Sequence, residues 1–174
     1  MKKKTRKLHE FITNLSDFIM NHGQFRKMTK NKSESEMQTE IRPIIISYLE
    51  NYYRNAGVKD YVAKANQSFY WEGQEGRYTR PKASIFATKN YPDFVIKNPY
   101  LIAIEYKKSA SGSLVKQALG QSIMHTLSQE YDFALVIFHD ENQNKKIFSA
   151  SKDPQEREIL LKLEKETNVF STFF

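Results

Sequence analysis

Two charged side chains near the middle of the chain have the spacing of a reaction centre. Glu105 and Lys107 lie two residues apart in an isoleucine-rich segment, 101–107, that is typical of a central β-strand. Side chains at that spacing point to the same face of a strand, so a carboxylate and an ammonium group lie side by side. Such groups need partners or a metal ion when they are semi-buried, because an isolated charge is costly to bury.

Asp93 can add a second carboxylate to this pair. It begins a short predicted strand, 93–96, which we expect to form an antiparallel hairpin with the strand that follows. Asp93 then faces Glu105 only if the tip lies at Pro99, with a three-residue connection over 98–100 or a bulge. A two-residue tip would turn Asp93 to the wrong face of the sheet. The sequence permits the longer connection, which places both carboxylates within reach of one divalent ion.

These three groups are suited to the hydrolysis of phosphodiester bonds. Carboxylate oxygens are ligands that Mg²⁺ prefers, and this ion keeps several waters and bridges to substrate phosphate. A metal ion of this kind polarises the scissile phosphate and lowers the pKa of a bound water. Lys107 beside it can orient or activate that water and stabilise the developing negative charge. We therefore expect Mg²⁺ as cofactor, with Mn²⁺ able to substitute.

The segments after Lys107 predict a sheet with strands in both directions. Residues 113–129 have the pattern of a helix, and residues 133–138 form a third apolar strand. Strand, helix and strand in this order indicate a right-handed crossover between parallel neighbours. Together with the antiparallel hairpin, the crossover predicts an α/β fold in which a mixed central sheet has helices on both sides.

Two helices are predicted before the sheet. Apolar residues at helical spacing predict the first over 8–19, and the segment 22–23 ends it. Ser33 and Glu36 form a possible capping box that would open the second helix. Pro43 lies inside the apolar stripe of that second helix. It either kinks the helix or marks the first turn of a helix that starts later.

The remaining elements are less strongly patterned. A short strand is predicted near 68–71, and a loop over 73–82 follows it. Asp153 suits the N-cap and Pro154 the first position of a last helix. The leucines expected on the buried side of that helix are Leu160, Leu161 and Leu163.

A known nuclease signature has the same residues at similar spacing. Pro92-Asp93, eleven intervening residues and then Glu105-Tyr106-Lys107 resemble the PD-(D/E)xK motif of restriction-endonuclease-like nucleases. The resemblance extends over 36–138 and includes the hairpin and the crossover helix. It implies a restriction-endonuclease-like core and a Mg²⁺-dependent endonuclease, in which Asp93 and Glu105 bind metal and Lys107 positions or activates water. It identifies no subfamily and no cleavage sequence.

The resemblance also implies a further acidic residue on an early helix. Glu40 is the candidate for this third metal ligand, and Glu36 is the alternative one turn earlier. Glu40 has a second interpretation as a solvated residue paired with a nearby lysine or arginine. For Glu36, the capping role is the better interpretation.

Polar residues on the crossover helix are a further feature that the resemblance implies. Gln121 and Gln117 share one helix face, and we expect them to support substrate or metal-bound water. His125 shares that face and has two interpretations, a residue that reaches the site and a surface histidine, of which the sequence favours the second.

Charge favours a polyanionic partner. The chain carries 27 Lys and Arg against 20 Asp and Glu, a formal net charge of +7. Basic side chains displace counterions from nucleic acid, and we expect DNA rather than RNA as the substrate. Solvated lysines and an ordinary mobile loop are the plainer alternatives for the candidate contact residues, which are Gln117, Lys108, Lys116, Arg77, Arg80 and Lys82.

Composition excludes several other classes of protein. The chain has no cysteine, which rules out disulfides, thiolate zinc sites and cysteine nucleophiles and fits a cytoplasmic setting. No run approaches the ~20 apolar residues of a membrane span, so no membrane partner is expected. Its 174 residues predict one nuclease domain, with an N-terminal helix and basic linker over 1–33, a core over 34–138 and a C-terminal helix and tail over 139–174.

Two other functions remain open at the level of sequence. One is a non-catalytic nucleic-acid-binding module on the same fold. The other is a subunit whose basic surface binds an acidic protein. A domain of this size without an evident target-recognition segment is also compatible with a homodimer or a larger complex.

Overall fold

A computed structural model of the protein describes residues 2–23, 32–72, 74, 83–85, 88–108, 111–140 and 146–173. Its elements are, in chain order, α1 (Lys2–Asn21), α2 (Glu34–Asn55), α3 (Tyr61–Gln67), β1 (Phe69–Trp71), β2 (Ala83–Ile85), β3 (Thr88–Asn90), β4 (Phe94–Ile96), β5 (Ile102–Lys108), α4 (Gly112–Leu127), β6 (Phe133–His139), α5 (Lys146–Ala150), α6 (Pro154–Thr167) and β7 (Val169–Phe173).

Five strands form one mixed sheet in the order β1-β4-β5-β6-β7. The pairs β1–β4 and β4–β5 are antiparallel, whereas β5–β6 and β6–β7 are parallel. The prediction of a mixed α/β sheet, with a hairpin on one side of β5 and a crossover on the other, is thereby confirmed. A separate antiparallel pair, β2–β3, was not predicted.

The register of the β4–β5 hairpin is the one that the sequence analysis required. Phe94 pairs with Ile104, and Ile96 pairs with Ile102, so the hairpin is centred on Pro99. Continued by one residue, this register sets Asp93 opposite Glu105. The odd-numbered connection therefore brings both carboxylates to the same face of the sheet.

Helices cover both faces of the sheet. Residues of α1, α2 and α3 pack with Ile102, Ile104 and Tyr106 of β5, as predicted for the apolar side of that strand. Ala103 faces the other way, where it packs in a second cluster that includes Ala118 of α4. Glu105 and Lys107 share the face of Ala103 by strand alternation, so the charged groups are turned toward the α4 side.

The start of α2 is fixed by its capping box. The Ser33 side chain accepts from the Glu36 backbone N–H, and the Glu36 carboxylate accepts from the Ser33 backbone N–H at 2.7 Å. The helix then continues through Pro43 to Asn55, so the alternative of a later start is wrong. Capping at Ser33 sets the first turn well before the proline, and apolar residues on both sides of Pro43 are buried in the core.

The C-terminal part of the chain differs more from the prediction. Asp153 caps α6 with Pro154 at its start, as predicted. However, α6 has no buried residue, so the buried side predicted for Leu160, Leu161 and Leu163 is wrong. Leu161 is 50% exposed, and the other two leucines are half-buried. Adjacent helical positions point about 100° apart, so Leu161 lies on a more exposed side of the helix than Leu160. The short strand β7 then adds a parallel edge that the sequence analysis missed.

The described helices include none with the length and apolar character that crossing a membrane requires.

The capping box should stabilise the end of α2 that lies nearest the charged face of β5. We expect Ser33→Ala to lower the free energy of unfolding by about 1 kcal/mol, because one side-chain acceptor for the first turn is lost. Urea unfolding at pH 7 measures this change. Ser35→Ala, an exposed position in the same turn, is the matched control, and equal effects of the two substitutions would contradict the capping role.

Candidate active site

Asp93 and Glu105 meet in a buried site at the sheet. Their exposed fractions are only 8% and 3%. Carboxylates are rarely buried to this extent unless they are paired with neutralising groups. The Tyr106 backbone N–H donates to Asp93 Oδ2 at 2.8 Å, across the hairpin. The hairpin thus positions the carboxylates through both its register and a backbone hydrogen bond.

Burial makes this pair of like charges unfavourable. The pKa of Asp93 is raised from 3.8 to about 7. Burial is the largest cause of this rise, and the negative charge of Glu105 is the second. The hydrogen bond from Tyr106 and the charge of Lys107 oppose this rise without cancelling it. When both are ionised, the two carboxylates carry more negative charge than these neighbours neutralise.

Lys107 places a basic group beside the pair. Its Nζ lies 4.0 Å from Glu105 Oε2 and 3.4 Å from Glu34 Oε1, and the side chain is 13% exposed. Burial by itself lowers the pKa of Lys107, but the charges of Asp93, Glu105 and Glu34 outweigh burial and raise it. The side chain is therefore held as an ammonium group, which can donate hydrogen bonds and stabilise negative charge but cannot accept a proton.

Glu34, rather than Glu40, is the carboxylate of α2 that contacts this cluster. Glu34 also accepts from the Lys108 backbone N–H at 3.2 Å. Glu40 forms an ion pair with Lys32 instead, which is its second interpretation above, and Glu36 serves the capping box. Sequence reasoning missed Glu34, although the capping box placed it in the first turn of the helix.

His125 reaches the site from α4. Its Nε2 lies 3.0 Å from Glu105 Oε1, and the side chain is fully buried. The prediction of a surface histidine is wrong, because the helix face that carries His125 packs on the sheet. The spacing of four residues from Gln121 was the signal that could have placed both side chains on the same buried face.

The other predicted residues have varied positions. The Gln121 Oε1 atom is buried and has no hydrogen-bond partner among the described residues. Because α4 runs antiparallel to β5, Gln121 lies one turn from His125 in the direction of Lys107. Gln117 and Lys116 are exposed on the same helix. Lys108 contacts the backbone carbonyl oxygen of Lys32, and Arg77, Arg80 and Lys82 lie outside the described residues.

The donor set fits a hard divalent cation. Among the described residues no three acidic, histidine or cysteine side chains are grouped to hold a metal ion. However, Mg²⁺ is commonly bound by one or two carboxylates together with waters and substrate phosphate. The excess negative charge of Asp93 and Glu105, and the unpartnered oxygen of Gln121, match that coordination chemistry.

No protein-family model, curated protein or solved structure matches this chain.

The raised pKa of Asp93 makes the stability of the metal-free protein depend on pH. The folded state keeps the Asp93 proton up to about pH 7, whereas the unfolded chain loses it near 3.8. The ionisation of Asp93 therefore does not destabilise the folded state below pH 3.8. This destabilisation grows as the pH rises from 3.8 to about 7 and is complete above pH 7. We expect the free energy of unfolding in EDTA to fall over that range.

Asp93→Asn should remove this pH dependence, because the amide keeps an acceptor for Tyr106 and carries no charge. At pH 8 we expect the variant to be more stable than the wild type by about 2–4 kcal/mol in urea unfolding. The control is Asp17→Asn at an exposed position on α1. Asp17→Asn should keep the pH profile of the wild type. If Asp93→Asn keeps that profile too, Asp93 is not held near an uncompensated charge.

Proposed function

We propose that this protein is a metal-dependent nuclease of the PD-(D/E)xK type that hydrolyses phosphodiester bonds, in DNA rather than RNA. The observation that carries the proposal is the buried pair of Asp93 and Glu105 with the Lys107 ammonium beside it. The hairpin, the crossover helix α4 and the parallel strand β6 support a restriction-endonuclease-like core around that pair.

Asp93 and Glu105 would hold the divalent cation. When bound, Mg²⁺ would polarise the scissile phosphate and make a water molecule more acidic. The site is mostly shielded from solvent, which strengthens electrostatic interactions within it. Two carboxylates held in place before the cation arrives also lower the ordering cost of binding it.

Lys107 would act as a fixed positive charge. Its raised pKa keeps it protonated at neutral pH, so it would donate a hydrogen bond to the attacking water or to a phosphate oxygen. It would thereby stabilise the negative charge that develops on the phosphate. Glu34, 3.4 Å from Nζ, holds the side chain in position. The Gln121 carbonyl oxygen would accept a hydrogen bond from water in the site.

Cleavage of supercoiled plasmid and of short single- and double-stranded oligonucleotides tests the function. With Mg²⁺ or Mn²⁺ we expect cutting by the wild type and none in EDTA. Asp93→Ala and Lys107→Ala should each lower the rate by at least about 100-fold, the usual effect of losing a charge-stabilising group.

Lys162→Ala is the matched control for the lysine variant, because Lys162 is exposed on α6 in a surface ion pair with Glu158. It should cut at the wild-type rate. Binding of DNA without cutting by the wild type would contradict the proposal in favour of a non-catalytic module. A wild-type protein that neither binds nor cuts DNA would also contradict the proposal. If that protein retained an acidic protein, an interaction subunit would be favoured instead.

The salt dependence of binding tests which lysines contact phosphate. In EDTA, where no cleavage is expected, Lys116→Ala should reduce the slope of log K against log salt concentration by about one. Lys116 is the exposed candidate on α4. Fluorescence anisotropy with a labelled duplex at several salt concentrations measures the slope. Lys162→Ala should leave it unchanged, and an unchanged slope for Lys116→Ala would remove that residue from the interface.

A further inference from the structure

We propose that His125 is a positioning residue that orients the Glu105 carboxylate for metal binding. This inference rests on the proposed function, since it assigns a role within the same site. It is carried by the contact between His125 Nε2 and Glu105 Oε1 at 3.0 Å, in which both side chains are buried.

The contact divides the two oxygens of Glu105 between different neighbours. Oε1 faces the imidazole, while Oε2 is turned toward Lys107, whose Nζ lies 4.0 Å away. Rotation of the carboxylate would break the hydrogen bond to His125 inside the protein, where a lost hydrogen bond is not replaced by water. The imidazole therefore selects the orientation that presents Oε2 to the side of Lys107.

The two ring nitrogens of His125 have different surroundings, which fixes the tautomer. Nδ1 is buried and has no hydrogen-bond partner among the described residues, so a proton there would be left unpaired. Nε2 faces a carboxylate oxygen, which can only accept. The ring proton accordingly resides on Nε2, where it is donated to Glu105.

The ring itself has little freedom to turn away. Tyr131 packs against it in an edge-to-face arrangement, with ring centroids 5.4 Å apart. The Ser128 hydroxyl donates to the His125 backbone carbonyl at 2.8 Å near the end of α4. Packing of this helix face against the sheet does not by itself require a histidine, because a leucine would fill the same space. Among the residues that the structure describes, Glu105 is the hydrogen-bond partner of the imidazole, and this contact accounts for a histidine at this position.

The contact can be tested without reference to cleavage. Nitrogen-correlated NMR of the histidine ring should show the Nε2–H tautomer for His125 in metal-free protein. Glu105→Gln should change the ring signals, whereas Ser122→Ala, at a buried position on the same helix, should not. A ring protonated on Nδ1 alone, or signals insensitive to Glu105→Gln, would overturn the inference whatever the protein's activity.

Two substitutions then test the role of the contact. His125→Phe keeps the ring against Tyr131 and deletes the donor, whereas His125→Gln restores an amide N–H near the position of Nε2. We expect Mn²⁺ affinity, measured by calorimetry, to fall about 10–100-fold in His125→Phe and to recover largely in His125→Gln. In the DNA cleavage assay, we expect the kcat of His125→Phe to fall together with its Mn²⁺ affinity. We expect KM to stay within about twofold, because the contacts that bind substrate and transition state equally are unchanged.

The outcomes separate this inference from the function on which it rests. Wild-type affinity and kcat in His125→Phe, with activity lost in Lys107→Ala, would overturn the positioning role and leave the nuclease intact. A loss in His125→Phe that His125→Gln does not recover would also overturn it, because the ring's shape rather than its donor would then matter. Failure of the wild type to bind Mn²⁺ or to cut, with the NMR result as expected, would overturn the nuclease proposal and with it the positioning role.

Discussion

The mutual repulsion of two buried carboxylates is the constraint on which the site depends. Asp93 and Glu105 are brought together by the register of one hairpin, and that register is also required by the apolar residues of β4 and β5. A slip of one residue would turn the apolar side chains to the wrong face. The energy of core packing therefore holds the two acids in an arrangement that they would not adopt alone, and the raised pKa of Asp93 reflects that cost.

The neighbours of the pair compensate its charge only in part. Tyr106 supplies a backbone hydrogen bond, and Lys107 supplies a positive charge that it shares with Glu34. His125 Nε2 lies within hydrogen-bond distance of one oxygen of Glu105, and we propose that it orients this carboxylate. Strained or uncompensated groups persist where the surrounding structure determines them, and they commonly mark functional sites. A divalent cation would remove the imbalance, which is why hydrolysis of a phosphodiester is the function that this geometry supports best.

The part of the site built on the hairpin could be predicted because it depends on local rules. Strand alternation and the odd-numbered connection were sufficient to place Asp93 opposite Glu105, and the core side of β5 followed from its isoleucines. Glu34 was missed, and the less favoured interpretation of His125 is the one observed, because both positions depend on how whole helices pack, which spacing along the chain does not determine. The exposed side of α6 and the edge strand β7 were missed for the same reason.

The location of a bound metal ion would test the proposed site most directly. Crystals soaked with Mn²⁺ and measured at a wavelength with strong manganese anomalous scattering would show it. We expect one ion with an oxygen of Asp93 and an oxygen of Glu105 each about 2–2.5 Å away, and with Glu105 Oε1 still hydrogen-bonded to His125. A manganese ion bound at another place would contradict the proposed site. The absence of any ion, with Lys107 alone facing the two carboxylates, would also contradict it.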